Sequence, residues 1–237
     1  MSKIAVITDT HANLPALEAA LAAVRDLECA EIWHTGDAVG IGPFPNEVLD
    51  RLLDTPEMRF VMGNHDELCA FGLPEPVPDW EDDQFVANAR WTHVQVDPGF
   101  RSVMTSWPYE IVATRNVHLF SFLHYPRDPD GGGFVDVVPE AGAEDLDNLF
   151  RGLQADVIFY GHYHPPADHA GRARYINPGS LGCGPEALAR FSVINVDRAN
   201  GMTVEHHAVP YDRSDLHAAL VQRDVPGREF LRQVFFP

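Results

Sequence analysis

Five short apolar runs in this chain each end abruptly in a cluster of carboxylate, amide or imidazole side chains. KIAVIT (3–8) gives way to Asp9 and His11, EIWHT (31–35) to Asp37, and MRFVM (58–62) to Asn64, His65 and Asp66. VHLFSFL (117–123) is followed by His124, and DVIFY (156–160) by His162 and His164. Helical spacing of Ala and Leu over 15–28, with Pro15 in the first turn, and a second helix over 46–54, with Asn46 as its cap, alternate with the early runs. Such alternation predicts an α/β layered fold whose functional loops gather at the strand ends. The pair His162 and His164 sharpens that expectation. In extended backbone residues i and i+2 point to the same side, so both rings would converge just past the strand, where two imidazolium charges repel but a bound cation is held.

The remaining sequence fills out one domain over 1–237. Residues 72–108, which contain GLPEPVPDWEDDQF and the indoles Trp80, Trp91 and Trp107, read as a partly helical insertion beside the site. From 109 strands dominate: YEIVAT, VHLFSFLHY, DVIFYGHYH, ARYINPGS, RFSVINVD and MTVEHHAV. Asn200-Gly201 in NVDRANG marks a hairpin turn. A helix near SDLHAALVQR opens a C-terminal helical extension at about 212–237.

With 17 Lys+Arg against 35 Asp+Glu the chain carries a formal charge of -18, which opposes association with nucleic acid or anionic membrane. A small phosphorylated substrate stays open to it, because bound cations would reverse the charge locally. Cys29, Cys69 and Cys183 form no CxxC pair, as expected of a reducing cytoplasm. The first residues turn polar by position 8, so no signal-peptide core is expected, and no apolar run of about 18 residues predicts a membrane span.

Pooled, the strand-end clusters offer Asp9, Asp37, the Asn64 amide, and the imidazoles of His11, His124, His162 and His164. These oxygen and nitrogen donors suit two first-row transition metals, with Mn, Fe, Zn, Ni and Co all admitted. Asn13 follows the first cluster, where it either touches a substrate phosphate or caps the next helix. Arg127 and Arg174 either fork onto a phosphate oxygen or lie at the surface. His34, His93, His118, His169, His206 and His207 belong to no motif and read as structural or surface groups.

DTH, GD, GNHD, a single His and GHYH, in this order over about residues 4–180, resemble the motif series of the calcineurin-like metallophosphoesterases. GDAVGIGPFPNEV and INPGS are similar to the small single-domain bacterial branch of that superfamily. The resemblance implies a β-sandwich flanked by helices, four layers αββα, with a two-metal site at one edge. It places Asp9, His11 and His164 on one metal, Asn64, His124 and His162 on the other, and Asp37 between them. It further implies attack on phosphorus by a metal-bridging hydroxide, with His65 as proton donor or charge stabiliser at the leaving group and Asp66 orienting its ring. Protein phosphatases and dinucleoside polyphosphate hydrolases of the superfamily carry an arginine shortly after GD; here Gly40, Ile41 and Gly42 stand there. A small phosphodiester, ahead of a phosphomonoester, is therefore the expected substrate. The contrasting expectation is a binding scaffold of the same fold without turnover.

Overall fold

The computed structural model describes residues 2–77, 82–130, 133–197 and 201–237. The first strand, β1 (Ser2–Ile7), leads into helix α1 (Leu14–Asp26), and β2 (Glu31–His34) into α2 (Pro45–Leu53). After β3 (Met58–Phe60) come three helices in succession: α3 (Asn64–Phe71), α4 (Asp83–Gln95) and α5 (Pro98–Met104). The next strands are β4 (Glu110–Arg115) and β5 (His118–Leu123), separated from β6 (Val157–Phe159) by α6 (Ala143–Leu149). Then follow β7 (Ala167–Ala170), β8 (Arg174–Asn177), β9 (Leu188–Asp197) and β10 (Gly201–Pro210). Helices α7 (Ser214–Gln222) and α8 (Arg228–Val234) complete the chain.

The strands form two mixed sheets, ordered β10-β9-β1-β2-β3 and β4-β5-β6-β8-β7. The period-2 alternation of β1 explains how they stack. Ile4 and Val6 face the second sheet and meet Trp33, Phe120, Phe122, Phe159 and Ile176. Ala5 and Ile7 face outward and pack on Leu17, Leu21 and Val24 of α1 and Val48 and Leu52 of α2. On the outer face of the second sheet, Ile158, Tyr160 and Tyr175 pack on Leu146 of α6. Helix, sheet, sheet and helix thus make the four layers expected. Parallel pairs β1–β2, β2–β3, β5–β6 and β6–β8 bring their carboxyl ends to one edge of the sandwich, and that edge carries the clusters.

Local chemistry differs from the sequence reading at several points. Helix α2 starts at Pro45 after Phe44, so Asn46 is no cap. Its amide instead accepts from Asp97 N (2.9 Å) and donates to Gln95 O (2.8 Å), tying α2 to the end of α4. Strand β6 stops at Phe159 and His162 has φ +70°, so the two histidines of the last cluster do not share an extended backbone. Helices α7 and α8 occupy the helical extension expected at about 212–237, whereas helix α6 and the short edge strand β7 were not foreseen. Trp80 and Asn200 lie outside the described residues, although β9 and β10 do pair as a hairpin, with Gly201 opposite Asp197. Among the described residues no helix is long and apolar enough to cross a membrane.

Candidate metal centre

Two loops are laced together beyond their strands by main-chain bonds. Asp9 N donates to Gly36 O, His11 N to Asp37 O and Ala12 N to Ala38 O, each at 3.0 Å. This lacing holds Asp9 (φ +50°), His11 (φ +48°) and Asp37 (φ +59°) in the left-handed region, which non-glycine residues occupy only under constraint. A third loop closes over the first: Ser180 Oγ and Gly182 N both donate to Asp9 O. Gly161 N donates to His124 O, and His162 N donates to both carboxylate oxygens of Asp9 at 3.2 Å. Gly161 is required there because a Cβ would stand 2.1 Å from Thr8 Oγ1.

The side chains so placed face one another. His11 Nε2 lies 3.0 Å from His164 Nε2 and 3.7 Å from Asp9 Oδ1, and His164 Nε2 lies 3.8 Å from Asp9 Oδ1. In the other half, His124 Nε2 lies 3.1 Å from Asn64 Oδ1 and 3.2 Å from Asp37 Oδ2, with the His162 ring 5.1 Å from that of His124. Asp37 reaches both halves, its Oδ2 being 3.8 Å from His11 Nε2. His124 is fixed from behind, its Nδ1 2.9 Å from Thr35 O. The His65 ring stands edge-on to His11, 5.0 Å between centroids, and its backbone N–H donates to Asp37 Oδ1 at 2.9 Å.

Burial holds His11 well below the ordinary imidazole value, takes His162 down to about 3, and lowers His65. His11 is therefore neutral, and its approaches to Asp9 and Asp37 are not ion pairs. Burial opposes charge on His124 most strongly, but Asp37, Asp9 and the Thr35 carbonyl together outweigh it and push that ring up to about 9. Burial likewise works against ionisation of Asp37, yet the surrounding histidines, His124 first, hold it well below the carboxylate range. Burial raises Asp9.

These residues fit a pair of cations. Two donors bound at about 2.1 Å to one ion lie roughly 3–3.5 Å apart, close to the 3.0–3.8 Å separations found here. The nitrogen that His11 turns towards Asp9, Asp37 and His164 is Nε2, and the neutral rings of His11 and His162 keep a lone pair for a metal. Three groupings bring such donor atoms within 4.8 Å of one another: His11, Asp37 and His65; Asp37, His124 and His162; and His11, His164 and Cys183.

Four candidate residues have other partners. Asp66 does not hydrogen-bond the His65 ring. Its carboxylate accepts from the backbone N–H groups of Asp37 (2.7 Å), Ala38 (2.9 Å), Val39 (3.2 Å) and Gly63 (3.1 Å), pinning the Asp37 loop to the start of α3. Asn13 is the cap of α1: its Oδ1 accepts from Ala16 N, and its Nδ2 donates to Gly182 O and the Tyr211 hydroxyl. Arg127 Nη1 donates to both oxygens of Glu67 and its guanidinium lies 3.9 Å over Tyr109, while Phe134 stands between it and the His124 and His162 rings. Arg174 begins β8 at the end of the sheet remote from the site and is paired through two nitrogens with Asp168. Sequence reasoning had missed Phe235, whose ring lies 5.8 Å from that of His164; only the fold brings the last helix there.

The model of the calcineurin-like phosphoesterase superfamily domain matches residues 2–200. An uncharacterized protein of Methanocaldococcus jannaschii is 28% identical over 95% of this chain and 94% of its own length. A hypothetical protein from Pyrococcus horikoshii has a crystal structure that superposes with a TM-score of 0.83 at 20% identity, covering 100% of this chain and 99% of that one. The crystal structure of a metallophosphoesterase from Sphaerobacter thermophilus gives a TM-score of 0.74 at 24% identity, covering 98% and 97%.

Proposed function

The chain belongs to the calcineurin-like phosphoesterase superfamily, and from that membership we propose that it hydrolyses a small phosphate ester with two divalent cations. Asp9, His11 and His164 would hold one ion, Asn64, His124 and His162 the other, with Asp37 between them. The observation that carries this reading is the convergence of five separate loops on donor atoms 3.0–3.8 Å apart. When bound, such a pair supplies Lewis acidity at the phosphoryl oxygens and a water acidified towards neutrality. The chain's own groups do the rest. Asp66 sets the loop that presents Asp37, and Asp37 Oδ1 receives the His65 N–H and so fixes the start of α3. The His65 ring, neutral through burial, retains one N–H that would hydrogen-bond the ester oxygen as charge develops on it.

Charge favours a diester over a monoester. A monoester dianion calls for additional cationic side chains, and the two candidate guanidiniums, Arg127 and Arg174, are engaged with Glu67 and Asp168. The net charge of -18 disfavours nucleic acid and other long polyanions as partners. Three free thiols fit a cytoplasmic setting. The test is hydrolysis of bis(p-nitrophenyl) phosphate beside p-nitrophenyl phosphate by manganese-loaded protein. Faster turnover of the diester, abolished in His65→Ala, is expected. Protein that holds two manganese ions per chain and turns over neither ester would overturn the reading.

A further inference from the structure

A cavity of about 250 Å³ adjoins the candidate centre on the His65 side. Its walls come from three places distant in sequence: Ile41 beyond the Asp37 loop, Phe85 of α4, and Phe230, Leu231 and Phe235 in and beside α8. His65 is both part of this lining and part of the candidate centre, its ring set edge-on to Phe85 at 5.4 Å and to His11 at 5.0 Å. Phe235 touches the cavity and the His164 ring alike. The space is therefore bounded on one side by His65 and Phe235, which also border the candidate donors.

We infer that this cavity binds an aromatic ring, single or fused, carried on the leaving alcohol of the ester; the inference rests on the hydrolase reading above. Three phenyl groups line it, and Phe230 and Phe235 already stand edge-on to each other at 6.1 Å, the arrangement in which aromatic rings attract. An apolar cavity of about 150 Å³ accommodates benzene, so the volume here admits one ring with substituents or two fused rings. Asn88 offers the ring nothing, because its amide is spent on Ile41 N and O. Gln84, also on the wall, has no side-chain partner among the described residues and is placed to meet a polar ring edge.

The wall is built in advance. Arg213 donates to Pro237 O, Gly184 O and Glu186 O, Gly184 N donates to Phe235 O, and Phe236 is fully buried. A preformed apolar pocket binds without the cost of ordering its walls.

Calorimetric titration of the manganese-loaded protein with methylphosphonate, n-hexylphosphonate and phenylphosphonate tests this without turnover. Phenylphosphonate is expected to bind at least about tenfold more tightly than methylphosphonate and more tightly than the hexyl compound. The advantage should fall severalfold in Phe230→Ala and vanish in Gln84→Trp, while methylphosphonate affinity stays unchanged in both; these side chains lie at the exposed edge and outside the metal-binding set. Equal binding of methyl- and phenylphosphonate would overturn the inference and leave the hydrolase reading intact, and a hexyl preference would replace the ring with an alkyl chain. Failure of all three phosphonates to bind would overturn it as well, and the chromogenic esters would then decide the hydrolase reading separately.

Discussion

At the end of the sandwich away from the candidate centre, Glu31 on β2 accepts from Arg115 Nη2 on β4 with both oxygens at 3.1 Å, from Trp33 Nε1 at 3.1 Å, and lies 3.5 Å from Arg59 Nε. One carboxylate there joins the two sheets and is saturated with donors. At the other end, two buried carboxylates and five imidazoles stand nitrogen to nitrogen and nitrogen to oxygen, and the backbone is left-handed at Asp9, His11, Asp37 and His162. Both ends are polar, but the Glu31 carboxylate finds its cationic partners on the chain itself. The difference teaches that charge at the Glu31 end serves the fold, whereas the donors at the opposite end are grouped as the metal ions of the superfamily would require.

The strongest way to break this contrast is to remove the reacting group. His65→Ala should lower diester turnover by about 10²–10⁴-fold with little change in melting temperature, read by steady-state kinetics and calorimetry on the same sample. Asp66→Ala is expected to cost stability as well, about 3 kcal/mol, because four buried N–H groups lose their acceptor; a melting temperature unchanged within a degree would contradict the anchoring role. Manganese at about a hundredfold excess over its dissociation constant should add about 2.7 kcal/mol, a rise of about 5–10 °C for a chain of this size. That rise should be absent in Asp37→Ala and reversed by chelator.

The smallest effect belongs to the far end. Glu31→Gln should cost about 1 kcal/mol and about 2–4 °C, leaving kinetics untouched. Burial alone would raise the Glu31 carboxyl, but hydrogen bonds from Trp33 and Arg115 hold it below its usual 4.5. A depressed carboxylate contributes stability that is present in full above about 4.5 and lost as pH falls through its folded value. The gap in melting temperature between wild type and Glu31→Gln should accordingly be flat above pH 5 and close in more acidic buffer.

The strands and the clustered donors were legible in sequence because each apolar run ends in the residues that matter, and the order of the motifs is itself informative. What stayed hidden depended on distance through space. Arg174 and His124 both flank strands, yet one begins β8 and the other follows β5, so they lie at opposite ends of the same sheet. Asn13 and Asp66 sit inside motifs but spend their polar atoms on backbone, a choice that only the neighbouring loops decide. The alternation of His162 and His164 suggested a shared strand face; a left-handed turn at His162 replaces the extended backbone, and the rings still reach the two halves that the motif series implies. The cavity beside His65 draws on residues 41, 85 and 230–235, and no local pattern announces such an assembly.

The left-handed backbone at Asp9, His11, Asp37 and His162 has a consequence for inheritance. Glycine would relieve strain of about 1 kcal/mol at His11 and His162, but at Asp9 and Asp37 it would also remove the carboxylates that accept from His162 N and His65 N. Random change towards glycine is therefore eased by the backbone at the two histidines and opposed at the two aspartates by the hydrogen bonds it would break.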